Sequence, residues 1–294
     1  MFKFYSTQNK SPLLMQQKSF IFKNPPMGSL DPEIGWNQWL AGLIDGDGCF
    51  YISKTKQVSL EITTALLDER MLQEIKQRIG GAVKKRAGSQ SVRLRVGKRE
   101  QVLEVVKRVN GYIRLESRYQ QFQAACHLLH VKCLLPEPLV LPNGYLSGLF
   151  DADGSVTISV MRTKGYLSTL TGVYGMYERL AAARGYHQLS LHIVSKDRAF
   201  IHQIHMAAGF GAVCSDHLKG KRPNTLYRWY FRSHEDVAQW LNIIQTHPLR
   251  SVKKQRCALL PSYFELRRSK AHLAERDSAN YKTWLNFSKR WFNL

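Results

Sequence analysis

Two short segments end in paired aspartates and a glycine: WLAGLIDGDGCF (Trp39–Phe50) and YLSGLFDADGSV (Tyr145–Val156). Aligned on those ends, they agree at Leu40/Leu146, Gly42/Gly148, Leu43/Leu149, Asp45/Asp151, Asp47/Asp153 and Gly48/Gly154. Carboxylates at a helix C-terminus add to the partial negative charge of the last carbonyls. Mg²⁺ relieves such a site well, because it takes few carboxylates and keeps waters and phosphate oxygens as its other ligands. A metal held there activates water and stabilises the leaving oxygen of a phosphodiester. The plain alternative, a helix-ending turn, accounts for one Asp-x-Asp-Gly. Two copies at matching positions favour the metal reading. An EF-hand is excluded, because its twelfth position would be Lys56 or Arg162 instead of glutamate.

The elements that must position these carboxylates follow from spacing. Leu40, Leu43 and Ile44, like Leu146, Leu149 and Phe150, recur at helical intervals and give each segment one apolar face. Gly42 and Gly148 stand inside these helices, where glycine costs about 1 kcal/mol relative to alanine. That cost is offset if two backbones approach closely, and the neighbouring Ala41 and Ser147 are also small. The two helices are therefore expected to pack about a pseudo-twofold axis. Gly48 and Gly154 then end the helices, a position that favours glycine.

The chain has 294 residues, 44% hydrophobic and 11% aromatic, with a net charge of +21 and a pI near 9.9. Such a balance calls for a polyanionic partner. No apolar run is long enough to span a bilayer, which argues against a membrane partner. Five cysteines without C-x-x-C spacing point to free thiols in a reducing compartment. The Cys126, His127, His130 and Cys133 group lies on a predicted helix, without the spacing of a zinc site. Residues 1–30 carry lysines but no acid or arginine and read as a basic, flexible leader.

After each motif the period changes to two. Residues 31–135 read as a first αββαββα unit, 136–142 as a Pro-Glu-Pro linker, and 143–294 as a second unit with a helical tail. The second unit carries an insertion, 162–187, with no counterpart in the first. The polar faces of the strands place Tyr51, Ser53, Ser59, Thr63, Lys84, Arg86, Arg93 and Arg95 on one sheet. They place Thr157, Ser159, Ser190, Lys219, Lys221, Arg228, Tyr230 and Arg232 on the other. A basic two-stranded ribbon suits the DNA major groove. From Gly144 onward 22 basic residues face 10 acids, against 17 and 12 between Asp31 and Asn143, so the second unit should grip phosphate more. Aromatic spacing in the tail (Trp284, Phe287, Trp291) predicts a docked helix.

The doubled motif resembles that of LAGLIDADG homing endonucleases, in the form where one chain carries both copies. The resemblance implies an α+β fold of two αββαββα repeats whose antiparallel sheets form a DNA-binding saddle. It implies a monomeric, intron-encoded, organellar enzyme (mitochondrion or chloroplast) that makes a staggered double-strand cut in a long, asymmetric DNA site. It implies Mg²⁺ as cofactor, with Mn²⁺ or Ca²⁺ as substitutes, held by Asp47 and Asp153 and the carbonyls of Gly46 and Ala152. Glu61 and its counterpart His192 would stand near the metals. Lys253, with Lys254 as the register alternative, would organise water or phosphate, opposite Glu116 in the first unit with Arg118 close by. An RNA-binding maturase acting on its own intron, and a DNA-binding relative with weakened chemistry, are the alternatives.

Overall fold

The computed structural model describes residues 31–293 except 162, 164 and 219–223. The expected leader, Lys219 and Lys221 lie outside the described residues. The first half runs α1 (Pro32–Asp47), β1 (Gly48–Ile52), β2 (Val58–Ala65), α2 (Glu69–Ile79), β3 (Ala82–Lys85), β4 (Ser91–Val96), α3 (Arg99–Val109) and α4 (Glu116–Leu129). Residues 131–140 form neither helix nor strand. The second half runs α5 (Gly144–Asp153), β5 (Gly154–Val160), α6 (Gly172–Ala181), β6 (His187–Ser195), α7 (Arg198–Ala208), β7 (Ala212–Leu218), β8 (Asn224–Phe231) and α8 (His234–Thr246). It closes with α9 (Lys253–Ala258), α10 (Leu260–Arg268) and α11 (Ala279–Phe292). The sheets share one topology, β1-β2-β4-β3 and β5-β6-β8-β7, all antiparallel.

Alternation decides which sheet face is covered. Val92, Leu94 and Val96 are fully buried against helices, while Arg93 and Arg95 take the opposite face. Trp229 and Phe231 do the same on β8, leaving Arg228, Tyr230 and Arg232 on the open side.

Helices α1 and α5 are the centre of the molecule. Leu40, Leu43, Ile44, Leu146, Leu149 and Phe150 are at most 1% exposed, each contributing about 1.5–3 kcal/mol of burial. A Cβ on Gly42 would lie 2.1 Å from the Tyr145 carbonyl oxygen, and one on Gly148 only 1.8 Å from that of Trp39. The two glycines thus set the backbone-to-backbone approach, reciprocally. Gly48 and Gly154 end the two helices, as expected. Both have extended backbone, with φ of −88° and −71°, so no left-handed turn requires them. A Cβ there would instead strike the preceding turn, at Ile44 and at Phe150.

The insertion supplies α6, which packs on α11. Tyr281, Trp284, Phe287 and Trp291 of α11 are buried, with Trp284 against His187, Tyr263 and His272.

Candidate metal and nucleic-acid site

The site is built on four residues of the motif helices. The buried Asp45 carboxylate accepts from the backbone N–H of Arg114 (2.7 Å) and Leu115 (3.2 Å) and from the Tyr145 hydroxyl (2.5 Å). The buried Asp151 carboxylate accepts from the N–H of Arg250 (2.8 Å) and Ser251 (3.0 Å), the Ser251 hydroxyl and Trp39 Nε1 (2.8 Å). Trp39 and Tyr145 occupy matching motif positions, so each helix donates one aromatic hydrogen bond to the other's inner aspartate. Arginines repeat the symmetry: Arg250 lies 4.7 Å from the Trp39 ring centre and Arg114 lies 5.1 Å from that of Tyr145. The first aspartate of each motif therefore pins the closing segment of its own half. The apolar stripe concealed that role in the sequence, because the partners lie about 70 and 100 residues away.

The second aspartates meet at the open end. A Cβ on Gly46 would lie 2.4 Å from Ala152 Cβ and 3.0 Å from Asp153 Oδ2, so the two helix ends touch. Burial, then the neighbouring Asp153, push the Asp47 carboxyl up to about 7, against the pull of Lys253 and Arg118. Asp153 keeps an open edge, yet desolvation raises it too, opposed by the same two cations. Two carboxylates held together at raised pKa, beside backbone carbonyls, form a hard oxygen donor set that a divalent cation fits. Gly46 directly precedes Asp47 in α1. The Ala152 carbonyl is already engaged, since Lys253 Nζ donates to Phe150 O (3.0 Å), Asp151 O (2.7 Å) and Ala152 O (2.8 Å). Burial pulls the Lys253 ammonium below its usual range, against the carboxylates of Asp151, Asp47, Asp68 and Asp153.

The aspartate pins also correct the match between halves. Arg114 corresponds to Arg250 and Leu115 to Ser251, so the residue opposite Lys253 is Ser117, not Glu116. Arg118 stands opposite Lys254. The Arg118 guanidinium acts on Asp47 and Asp153 and donates to Gln121 Oε1 (2.7 Å), which also accepts from Phe50 N (3.3 Å). It is the cation of the first half, displaced by one residue from the expected register. Asp68, just before α2, is an unexpected third carboxylate beside the pair.

Glu61 and His192 are equivalent, paired with Cys49 and Ser155 respectively. Glu61 is tied to Arg93 (2.7 Å) and Arg95 (3.6 Å). His192 lies by the Arg228–Asp216 ion pair and is held below its usual pKa by burial and by Arg228. Together with Lys84, Arg86 and Lys98, the Glu61, Arg93 and Arg95 side chains line an open groove of about 880 Å³ on the first sheet. Tyr51, Ser53 and Thr63 border the same face, with Tyr51 exposed. Ser53 accepts from Gln57 N and shares a bond with Thr55, a turn role. Ser59 departs from expectation: at 5% exposure it is covered by its neighbours and offers no surface to a ligand. On the second sheet Thr157 and Ser159 donate to the carbonyls of Ser190 and Gln188, while Arg232 lies 4.9 Å from the Tyr230 ring.

Comparison with known proteins agrees with this architecture. A family model described as LAGLIDADG endonuclease matches residues 40–129. The intron-encoded RNA maturase bI4 of Saccharomyces cerevisiae is 32% identical over 90% of this chain and 38% of its own length. A probable intron-encoded endonuclease, aI2, of Debaryomyces hansenii is 31% identical over 88% of this chain, again 38% of its own length. The intron-encoded DNA endonuclease ai2a of Dictyostelium discoideum is 29% identical over 87% and 75% of the two lengths. The chain thus spans well under half of the first two relatives. Among solved structures, the LAGLIDADG meganuclease I-AabMI bound to uncleaved DNA superposes with a TM-score of 0.60. It is 18% identical, over 85% of this chain and 98% of that one. The I-LtrWI homing endonuclease bound to target DNA gives 0.60 at 13% identity, over 87% and 97%. At these identities the shared property is the fold.

Proposed function

Because this chain belongs to the LAGLIDADG endonuclease family, we propose that it is a homing endonuclease, cutting both strands of a long, asymmetric DNA site with a stagger. The observation that carries the reading is the meeting of Asp47 and Asp153 at the shared end of α1 and α5. Both polar sheet faces carry cations suited to phosphate and base edges. The Asp47 and Asp153 carboxylates, with the Gly46 carbonyl, would hold Mg²⁺, for which Mn²⁺ or Ca²⁺ would substitute. Bound there, the ion supplies a water nucleophile at neutral pH and stabilises the leaving oxygen. The chain's own part is placement: α1 and α5 fix the carboxylates, and Arg118 and Lys253 balance their charge. Arg93, Arg95, Arg228 and Arg232 orient the duplex. One chain carries both halves of the site, so it acts as a monomer. An organellar location, mitochondrion or chloroplast, belongs to the same proposal.

The test is cleavage of a plasmid library with randomised inserts in Mg²⁺. One staggered cut at a defined site is expected. Asp47→Asn and Asp153→Asn should each lower cutting by at least about 10³-fold with DNA affinity retained. Full cutting by both variants would refute the mechanism. Its likeness to the bI4 maturase supports a second role, binding of its own intron RNA. Failure to accelerate splicing of that intron in vitro would remove it.

A further inference from the structure

Asp68 and Asp197 hold the same place in the two halves. Each precedes a helix that buries four side chains at matching intervals: Met71, Leu72, Ile75 and Ile79 in α2; Phe200, Ile201, Ile204 and Ala208 in α7. Each helix ends at a glycine, Gly80 or Gly209. Asp197 caps its own helix, its Oδ1 accepting from Phe200 N at 3.0 Å, as aspartate there ordinarily does. Asp68 does not cap α2. Its Oδ1 reaches across the junction between halves and accepts from Val252 N at 2.7 Å, with Asp68 only 8% exposed.

That bond completes a row. Of four consecutive backbone N–H groups, those of Arg250 and Ser251 are held by Asp151 and that of Val252 by Asp68. The fourth, from Lys253, is held by Ser251 Oγ at 3.3 Å. At the end of the row the Lys253 ammonium rests on the Phe150, Asp151 and Ala152 carbonyls of α5. In the first half Asp45 holds Arg114 and Leu115, and the residue opposite Lys253 is Ser117.

We infer that Asp68 is a positioning residue through which the first half aims the lysine of the second, leaving the two strand cuts under unequal control. The inference rests on the nuclease reading above. With its lysine at one end of the carboxylate pair only, loss of the Val252 bond slows the cut of one strand and spares the other. A misplacement of about 1 Å is worth up to about a hundredfold in rate.

The experiment follows an end-labelled, supercoiled plasmid carrying the site selected by cleavage. Asp68→Ala should accumulate nicked circle, with one and the same strand slowed on the order of tenfold or more. Asp68→Asn, which keeps an acceptor oxygen, should leave the two strand rates in their wild-type ratio. Val252→Pro removes the donor instead, at a φ of −60° that proline adopts, and should reproduce the strand bias. Asp197→Ala, which loses only a cap, should show none. A second readout needs no cleavage: acylation of Lys253, followed by peptide mass spectrometry, should be several-fold faster in Asp68→Ala and unchanged in Asp197→Ala. Equal slowing of both strands, or a Lys253 as protected in Asp68→Ala as in wild type, overturns the inference. A wild-type protein that cuts no site overturns the nuclease reading instead, and Lys253 labelling still decides the role of Asp68.

Discussion

The N-terminal and C-terminal halves agree where backbones meet and diverge where charge collects. At the junction the correspondence is close to residue for residue: Gly42 with Gly148, Asp45 with Asp151, Trp39 with Tyr145, Arg114 with Arg250. Beyond it, the first half offers Arg118 held by Gln121, and the second a half-buried lysine on the carbonyls of α5. Sterics explain the first pattern. Two helices packed backbone to backbone leave no room to vary. Electrostatics explains the second, because opposing a carboxylate pair requires positive charge within a few ångströms, with no single residue type or register imposed.

The sharpest way to break the symmetric part is Gly148→Ala. A methyl 1.8 Å from the Trp39 carbonyl must drive α1 and α5 apart, and a loss of more than about 3 kcal/mol is expected in denaturant melts. Gly42→Ala should match it; tolerance of either would show that the junction is softer than its geometry.

Acid should separate the halves next. Where the first half has an exposed turn at Lys56, the second buries His187 against Trp284 and His272, and burial pulls its pKa down to about 4. The folded state then binds fewer protons than the unfolded chain between about pH 6.5 and 4. Stability is full above that window and falls by about 3 kcal/mol as pH drops through it. His187→Gln should flatten this part of the pH–stability curve. An unchanged slope would move the acid sensitivity elsewhere.

Removing one aromatic donor at a time tests the reciprocal pins. Tyr145→Phe leaves Asp45 with two donors, whereas Trp39→Phe leaves Asp151 with three. The first should cost about 2 kcal/mol and the second, apart from lost packing, about 1 kcal/mol. Equal costs in chemical denaturation would mean that the two carboxylates are equivalent after all. The mildest expected effects are on DNA binding. Arg95→Ala and Arg232→Ala should each lower the salt slope of binding by about one, across all sequences, if they contact phosphate. A change confined to particular base pairs would assign them to base readout.

Much of this was legible in the sequence because the chain states it twice. The repeated Asp-x-Asp-Gly located the carboxylate pair, and strict alternation in Ser91–Val96 and Leu226–Arg232 separated the covered faces from the polar ones. Other features left no usable local trace. The pinning role of Asp45 and Asp151 could not be read locally, because their partners arrive from distant segments. Asp68 precedes a helix, a place where aspartate ordinarily caps, and only the fold shows its carboxylate turned away. Ser59 alternates as a surface residue should, yet neighbouring side chains cover it. The one-residue offset between Arg118 and Lys253 follows from hydrogen bonds to the aspartate pins, which no linear alignment of two divergent helices contains.

The Arg250 guanidinium stacks on Trp39 and pairs with Glu74 of α2, beside the Asp68 contact. Here the C-terminal part borrows two acids from its neighbour. A hybrid joining residues 143–294 to a foreign amino-terminal module would need carboxylates transplanted at both places, or its lysine would hang loose on an otherwise intact scaffold.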